Sequence, residues 1–114
     1  MQAAESFASR RRRLIRKNPE ASIDLHGLTR DEAWDALHDF FNMAQFRGLE
    51  KVLIIHGKGN RINESGQYTT GVLKKMVQDF LEHCPYAGEN GYSSASTGGS
   101  GSTWVLIKKS QRSR

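Results

Sequence analysis

A single cysteine, Cys84, stands in this chain of 114 residues. One thiol cannot build a disulfide framework and fits a reducing compartment; in an apolar helical register it reads as a small core residue. Clusters of cysteine with metal-ligand spacing are absent, as is any nucleophile motif of the Ser or Cys hydrolase type. No run approaches the roughly 20 apolar residues that cross a bilayer. The amino terminus lacks the apolar core of a signal peptide. Together these absences predict a cytoplasmic protein with no membrane partner. Proline occurs only twice, at Pro19 and Pro85, and each marks a break: Pro19 should stop any helix before Asn18, and Pro85 should end a helix near Cys84.

Acidic residues are scarce at both ends. Residues 1–20 hold Arg10, Arg11, Arg12, Arg13, Arg16 and Lys17 against two glutamates, and residues 108–114 hold four Lys/Arg and no acid. Each end is therefore +4. Residues 21–107 carry seven basic and ten acidic side chains, so the net +5 resides in the arms. Basic arms around a folded centre favour a polyanionic partner such as nucleic acid, because each cation placed on a phosphate releases condensed counterions. Their bland alternative is solubility. Lacking a continuous apolar stripe, the amino-terminal arm is expected to stay mobile until it meets its partner.

What the chain does have is alternation of strand and helix patterns. Lys51-Val52-Leu53-Ile54-Ile55 reads as a strand buried on both faces. Residues 22–26 form a shorter strand, with Asp24 and His26 on one face and Ile23 and Leu25 on the other. Thr29-Arg30-Asp31-Glu32 is a capping box opening a helix from about 30 to 47, ended by Gly48. Asn60 to Thr70 reads as a polar loop. Leu73, Met76, Val77, Phe80 and Leu81 recur at helical spacing. Tyr86 to Ser93 is a weaker strand, Ser94 to Gly101 a flexible loop, and Thr103 to Ile107 the last strand. The predicted order is βαβαββ: an α/β two-layer sandwich, a small mixed sheet with both helices on one face. The domain covers residues 21–108, between a basic arm (1–20) and a basic tail (109–114).

Both early strands close in a His-Gly step, His26-Gly27 and His56-Gly57, which suggests one shared site beyond their carboxyl ends. Ile23-Asp24-Leu25-His26-Gly27, His56-Gly57-Lys58-Gly59 and Gly98-Gly99-Ser100-Gly101-Ser102-Thr103, in that order, resemble the Smr (small MutS-related) domain family. That resemblance implies a fold similar to the carboxy-terminal domain of bacterial translation initiation factor three. It also implies a nuclease that nicks DNA or cuts RNA, some members acting on stalled ribosomes. Asp24 and His26 look like the family's acidic and histidine site members, His56, Gly57, Lys58 and Gly59 like its phosphate-handling loop, and Gly99 and Gly101 like its glycine-rich turn. Arg61 and the segment from Ile62 to Thr70 stand where many members run directly into the helix, and Ser102 stands where alanine is common.

Read physically, an imidazole and an ammonium on a glycine-flanked turn suit a phosphodiester. His26 is suited to proton transfer near neutrality, with Asp24 orienting it or favouring its protonated form. Lys58, with His56, would stabilise charge on phosphorus oxygens. Arg61, Lys108 and Lys109 would join the arm cations as nucleic-acid contacts. For RNA the 2′-hydroxyl is an internal nucleophile and no metal is required; for DNA a water must attack, and Mg²⁺ held by Asp24 becomes plausible. The alternatives are that each His-Gly step is only a turn, that Asp24 only caps a loop, and that the chain binds nucleic acid or a ribosome without cutting. Trp34 and Trp104 read as packing residues, and His38 and His83 as solvated ones.

Overall fold

The computed structural model describes residues 5–57, 60–62, 68–70, 72–93 and 101–109. Its elements run α1 (Phe7–Arg16), β1 (Ala21–Asp24), α2 (Arg30–Phe46), β2 (Lys51–Ile55), β3 (Asn60–Ile62), β4 (Tyr68–Thr70), α3 (Val72–His83), β5 (Ala87–Tyr92) and β6 (Ser102–Ile107). Four strands form one mixed sheet in the order β1-β2-β6-β5. β1 lies parallel to β2, while β6 is antiparallel to both β2 and β5. The apolar run of β2 is thus an interior strand, as its composition demands.

Strand alternation divides the sheet into two faces. Val52, Ile54, Val105, Ile107 and Ala87 join Ala33, Leu37, Phe41 and Ala44 of α2 and Met76, Val77, Phe80 and Leu81 of α3 in one core. Both helices therefore share one face of the sheet, and the α/β fold is as expected. Trp34 meets Phe80 edge-on, at 5.2 Å between ring centroids, across the two helices. The capping box forms: Glu32 N donates to Thr29 Oγ1 at 3.2 Å and Thr29 N donates to Glu32 Oε1 at 2.9 Å. α2 ends beside Gly48 at φ +71°, the left-handed conformation glycine adopts without strain.

Two expectations change. The polar loop contains a short antiparallel pair, β3 with β4, joining Asn60 to Thr70 and Ile62 to Tyr68. Isoleucine, tyrosine and threonine favour extended backbone, and the polar composition of the stretch hid that preference. The arm, expected to be mobile, is a helix from Phe7, capped by the Ser6 side chain, which accepts from Ser9 N at 3.1 Å. It does stop before Asn18.

α1 packs against the rest of the chain through one apolar anchor and several charges. Leu14 is 0% exposed and lies outside the core shared by α2 and α3. Lys51, on the opposite face from Val52 and only 5% exposed, donates to the carbonyl oxygens of Ile15 at 3.0 Å and Lys17 at 2.7 Å. Those are carbonyls at the end of α1, where a helix carries partial negative charge and a cation is stabilising. Arg13 spans Glu5 and Glu50, Lys17 reaches Glu50 at 2.9 Å, and Arg11 pairs with Glu89 of β5. These bonds tie helix, sheet and loop together.

Leu14→Ala should lower stability by about 2–5 kcal/mol, the range for emptying a buried leucine site, read as a fall in the urea midpoint; an arm that floated free would leave the midpoint unmoved. Acid should loosen the same attachment. Hydrogen bonds from Arg13 and then Lys17 hold the Glu50 carboxyl down to about 2, against an ordinary 4.5. A depressed carboxyl stabilises fully above its unfolded value and loses that contribution as pH falls through the folded one. Between about pH 4.5 and 2 the wild type should therefore lose more stability than Glu50→Gln in matched urea titrations.

Candidate functional site

β1 and β2 run parallel and in register, Ile23 beside Ile54 and Asp24 beside Ile55, and Leu25 N donates to Ile55 O at 2.9 Å. The two His-Gly steps consequently leave the same edge of the sheet. Gly27 and Gly57 both have φ +85°, so the chain turns alike at each. A side chain at either position would be strained there.

From that common edge the side chains of Asp24, His26 and His56 diverge. Asp24 shares its face with Ile55 and Ser102, away from α2 and α3, whereas Ile54 and Thr103 face the helices. Asp24 is exposed, and its Oδ1 accepts from the His26 amide at 2.9 Å. This is an Asx turn that fixes the loop backbone. The bond goes to the His26 amide and not to its ring. The His26 imidazole is exposed and makes no hydrogen bond among the described residues.

His56 is the opposite case, only 7% exposed. Its Nδ1 lies 2.7 Å from Gly57 O and its Nε2 2.8 Å from Thr103 Oγ1. A carbonyl can only accept, so Nδ1 carries the proton, and in the neutral ring Nε2 accepts from the threonine hydroxyl. Burial lowers the pKa of the imidazole, the Gly57 hydrogen bond opposes that, and the nearby Lys74 cation lowers it further. The backbone on either side is also tied down: Gly101 O accepts from His56 N at 3.0 Å and from Gly57 N at 2.9 Å. Both nitrogens thus serve to fix the turn against β6.

Lys74, in the first turn of α3, was not read from the sequence as a site residue. Its ammonium sits 4.5 Å from the centroid of the Tyr92 ring, and Gln78 Nε2 donates to Tyr92 Oη at 2.9 Å. A signal existed. The first turn of α3 contains no acid, and lysines there oppose the helix dipole.

Lys58, Gly59 and Gly99 lie outside the described residues, as do Gly98 and Ser100 of the glycine-rich turn. Arg61 is placed in β3 by its backbone. Arg10, Arg11, Arg13 and Lys17 each have a glutamate within 4 Å. Arg12 and Arg16 are exposed and have no carboxylate partner among the described residues, and Lys108 and Lys109 are exposed at the end of β6. Among the described residues no group of three or more His, Cys, Asp or Glu side chains is placed to hold a metal ion. No described helix is long and apolar enough to cross a membrane.

Fold and site together define a small α/β domain with histidine, acid and glycine gathered at the carboxyl edge of two parallel strands. The Smr domain model matches residues 23–108, and the chain belongs to that family. It is 44% identical over 100 residues to an uncharacterized protein of Treponema pallidum, covering 88% of this chain and 47% of that protein. It is 38% identical over 90 residues to Endonuclease MutS2 of Helicobacter pylori, covering 77% of this chain and 10% of the relative. The chain thus spans about half of the first relative (47%) and a tenth of the second (10%). Among solved structures, the Smr domain of Thermus thermophilus MutS2 superposes with a TM-score of 0.66 at 26% identity, covering 77% of this chain and 98% of that one. YdaL, a stand-alone small MutS-related protein from Escherichia coli, gives 0.72 at 27% identity, covering 84% and 71%.

The His56 imidazole should stay neutral to a pH below 6.5 when followed by its side-chain NMR shifts. A folded pKa below the unfolded value means that its contribution to stability is complete above about 6.5 and declines as pH falls below that. Thr103→Val should remove the bond to Nε2 and cost about 1–3 kcal/mol, the penalty for a buried polar atom left unpaired. A titration of His56 above 6.5 would contradict the buried, neutral assignment.

Proposed function

We propose that this chain is a nucleic-acid endonuclease, acting on RNA in preference to DNA. The observation that carries the reading is the in-register pairing of β1 and β2. It sets two identical His-Gly turns side by side at the edge where open α/β sheets take their ligands. Homology to the Smr domains of MutS2 endonucleases supports it.

In this mechanism His26, exposed and without a partner among the described residues, is the proton-transfer group. It accepts the proton of a ribose 2′-hydroxyl; the oxygen attacks phosphorus, the bond to the 5′-oxygen breaks, and the leaving oxygen takes up a proton. The products are a 2′,3′-cyclic phosphate and a 5′-hydroxyl. Asp24 positions His26 by holding its amide. His56 holds the Gly57 turn so that backbone and Lys58 can approach the phosphate, and Lys74 adds positive charge beside it. Arg12, Arg16, Lys108 and Lys109 supply the longer-range attraction.

On RNA this route calls for no metal. On DNA a water must attack. Asp24, whose second carboxylate oxygen is uncommitted among the described residues, would then be the residue to hold a Mg²⁺, an ion that ordinarily uses one or two carboxylates. Mg²⁺ would supply charge neutralisation there and a more acidic water.

The second reading is a module that binds nucleic acid or a ribosome without cutting it. Asp24 favours this reading, because its bond to a backbone amide leaves the His26 ring unoriented by any described side chain. End-labelled single-stranded RNA and matched DNA, with Mg²⁺ or EDTA, separate the two. Wild type should cut RNA in EDTA, leaving a cyclic phosphate, and His26→Ala should abolish cleavage while retaining affinity. Binding by both proteins with every strand intact would sink the endonuclease reading.

A further inference from the structure

α1 covers only part of the sheet face opposite α2 and α3. Beyond its carboxyl end a cleft of about 330 Å³ opens over β2, β6 and the end of β5. That volume lies at the small end of ligand sites, which run from about 300 to 1,000 Å³. Its floor is Leu53 and Trp104, and Pro19 adds a further apolar surface. The indole lies against Gly91: a β-carbon there would come within 2.8 Å of Trp104 Cζ2. Glycine at that position is what lets the ring lie down over β5.

The polar lining is one-sided in charge. Arg16, Lys17 and Lys51 contribute three cations, and no carboxylate lines the cleft. Lys51 is committed to the end of α1, with its ammonium also 5.3 Å from the centroid of the Trp104 ring, so that a base stacking there would share the ring with this cation, and Lys17 is committed to Glu50. Arg16 has no such commitment among the described residues. Asn18 and Ser93 add an amide and a hydroxyl, groups that donate and accept hydrogen bonds. An aromatic floor, a few polar groups and the uncommitted Arg16 cation fit a flat heteroaromatic base attached to a phosphate.

Position completes the case. Ser22, Leu53, Trp104 and Gly91 pair in one row across the sheet, and Asp24, Ile55 and Ser102 pair in the row nearer the His-Gly edge, on the same face. Two residues along a strand is about 7 Å. The cleft therefore opens roughly one nucleotide from Asp24.

We propose that this cleft is a nucleobase subsite: an unpaired base next to the phosphodiester at the His-Gly edge enters it, stacks on Trp104 and brings its phosphate to Arg16. This rests on the nucleic-acid reading above and names its substrate class, single-stranded or locally unpaired strands. A base inside a duplex is stacked and paired, and reaching the cleft would require extruding it.

The test uses the full chain carrying His26→Ala, so that strands survive, and Trp34→Phe, so that Trp104 is the sole indole. A ten-nucleotide oligouridylate should quench its fluorescence on binding, and a blunt duplex of that length should not. Equal quenching by oligothymidylate also supports the subsite, since the base presents the same face on either sugar. Trp104→Leu should weaken single-strand binding by roughly five- to hundred-fold, the loss of one base–aromatic stack. Arg16→Ala and Ser93→Glu, which leave the indole in place, should weaken it several-fold should Trp104→Leu fail to fold. The proposal is overturned by binding with no change in Trp104 fluorescence, by a duplex that binds as tightly as a single strand, or by no binding of either. Its failure is distinguishable from that of the endonuclease reading. Quenching without cleavage by the His26-intact protein keeps the subsite and removes the enzyme, whereas equal cutting of duplex and single strand keeps the enzyme and removes the subsite.

Discussion

An interior strand that is apolar on both sides obliges the chain to cover both faces of its sheet. β2 is that strand, and most of the architecture answers to it. α2 and α3 bury Val52 and Ile54, with Val105 and Ile107 beside them. The other face carries Lys51, Leu53 and Ile55 on β2, a row that is less apolar and ends in a charge. A buried ammonium is tolerable only when its hydrogen bonds are satisfied. Two carbonyls at the end of α1 satisfy it. Burial still pushes the Lys51 ammonium pKa down. Helix and lysine thus require one another: among the described residues the lysine has no other hydrogen-bond acceptor, and the helix end gains a cation at its negative pole.

The same alternation that covers the sheet sorts the site. Parallel pairing in register brings two like turns to one edge, and the period of two sends Asp24 to one face and the Ile54, Thr103 side, with His56 bonded to it, to the other. The histidine on the helix side is enclosed, neutral and fully hydrogen-bonded, so it holds the backbone. The histidine beyond Asp24 is exposed and uncommitted among the described residues. Two residues of one type, in nearly identical sequence settings, acquire different chemistry from which face their strand presents. Similar parts thus yield one buried, hydrogen-bonded histidine and one exposed histidine.

Much of this was legible beforehand, for reasons that can be named. The capping box at Thr29, the helical spacing in α2 and α3, the stops at Gly48 and Pro85 and the buried run of β2 are local signals, read from residues within one or two turns of each other. The paired His-Gly steps could be matched because the motif repeats. α1 was missed as an ordered element because its packing is not local. Leu14 alone supplies the apolar contact, and its arginines find Glu50 and Glu89 at separations of 37 and 78 residues. No periodicity reports such pairs. The β3–β4 pairing was hidden by polar side chains on residues whose backbone preference is extended. The difference between His26 and His56 needed strand register, which a sequence implies only once the pairing partner is known.

The charge count also changes meaning once the structure is known. Read as a string, the first twenty residues offer six cations for a polyanion. In the folded chain four of those positions, Arg10, Arg11, Arg13 and Lys17, face glutamates. Pairs this exposed are individually weak and screened by salt. Their collective effect is to fix where α1 lies, and with it the direction in which the unpaired Arg12 and Arg16 point. A phosphate backbone competing for Arg11 or Arg13 would have to displace a carboxylate and gain only the difference, whereas Arg16 would give up only water. The arm therefore acts less as a loose polycation than as a rigid mount. The charge that the glutamates do not neutralise is a small remainder, held beside the open part of the sheet on the Asp24 side.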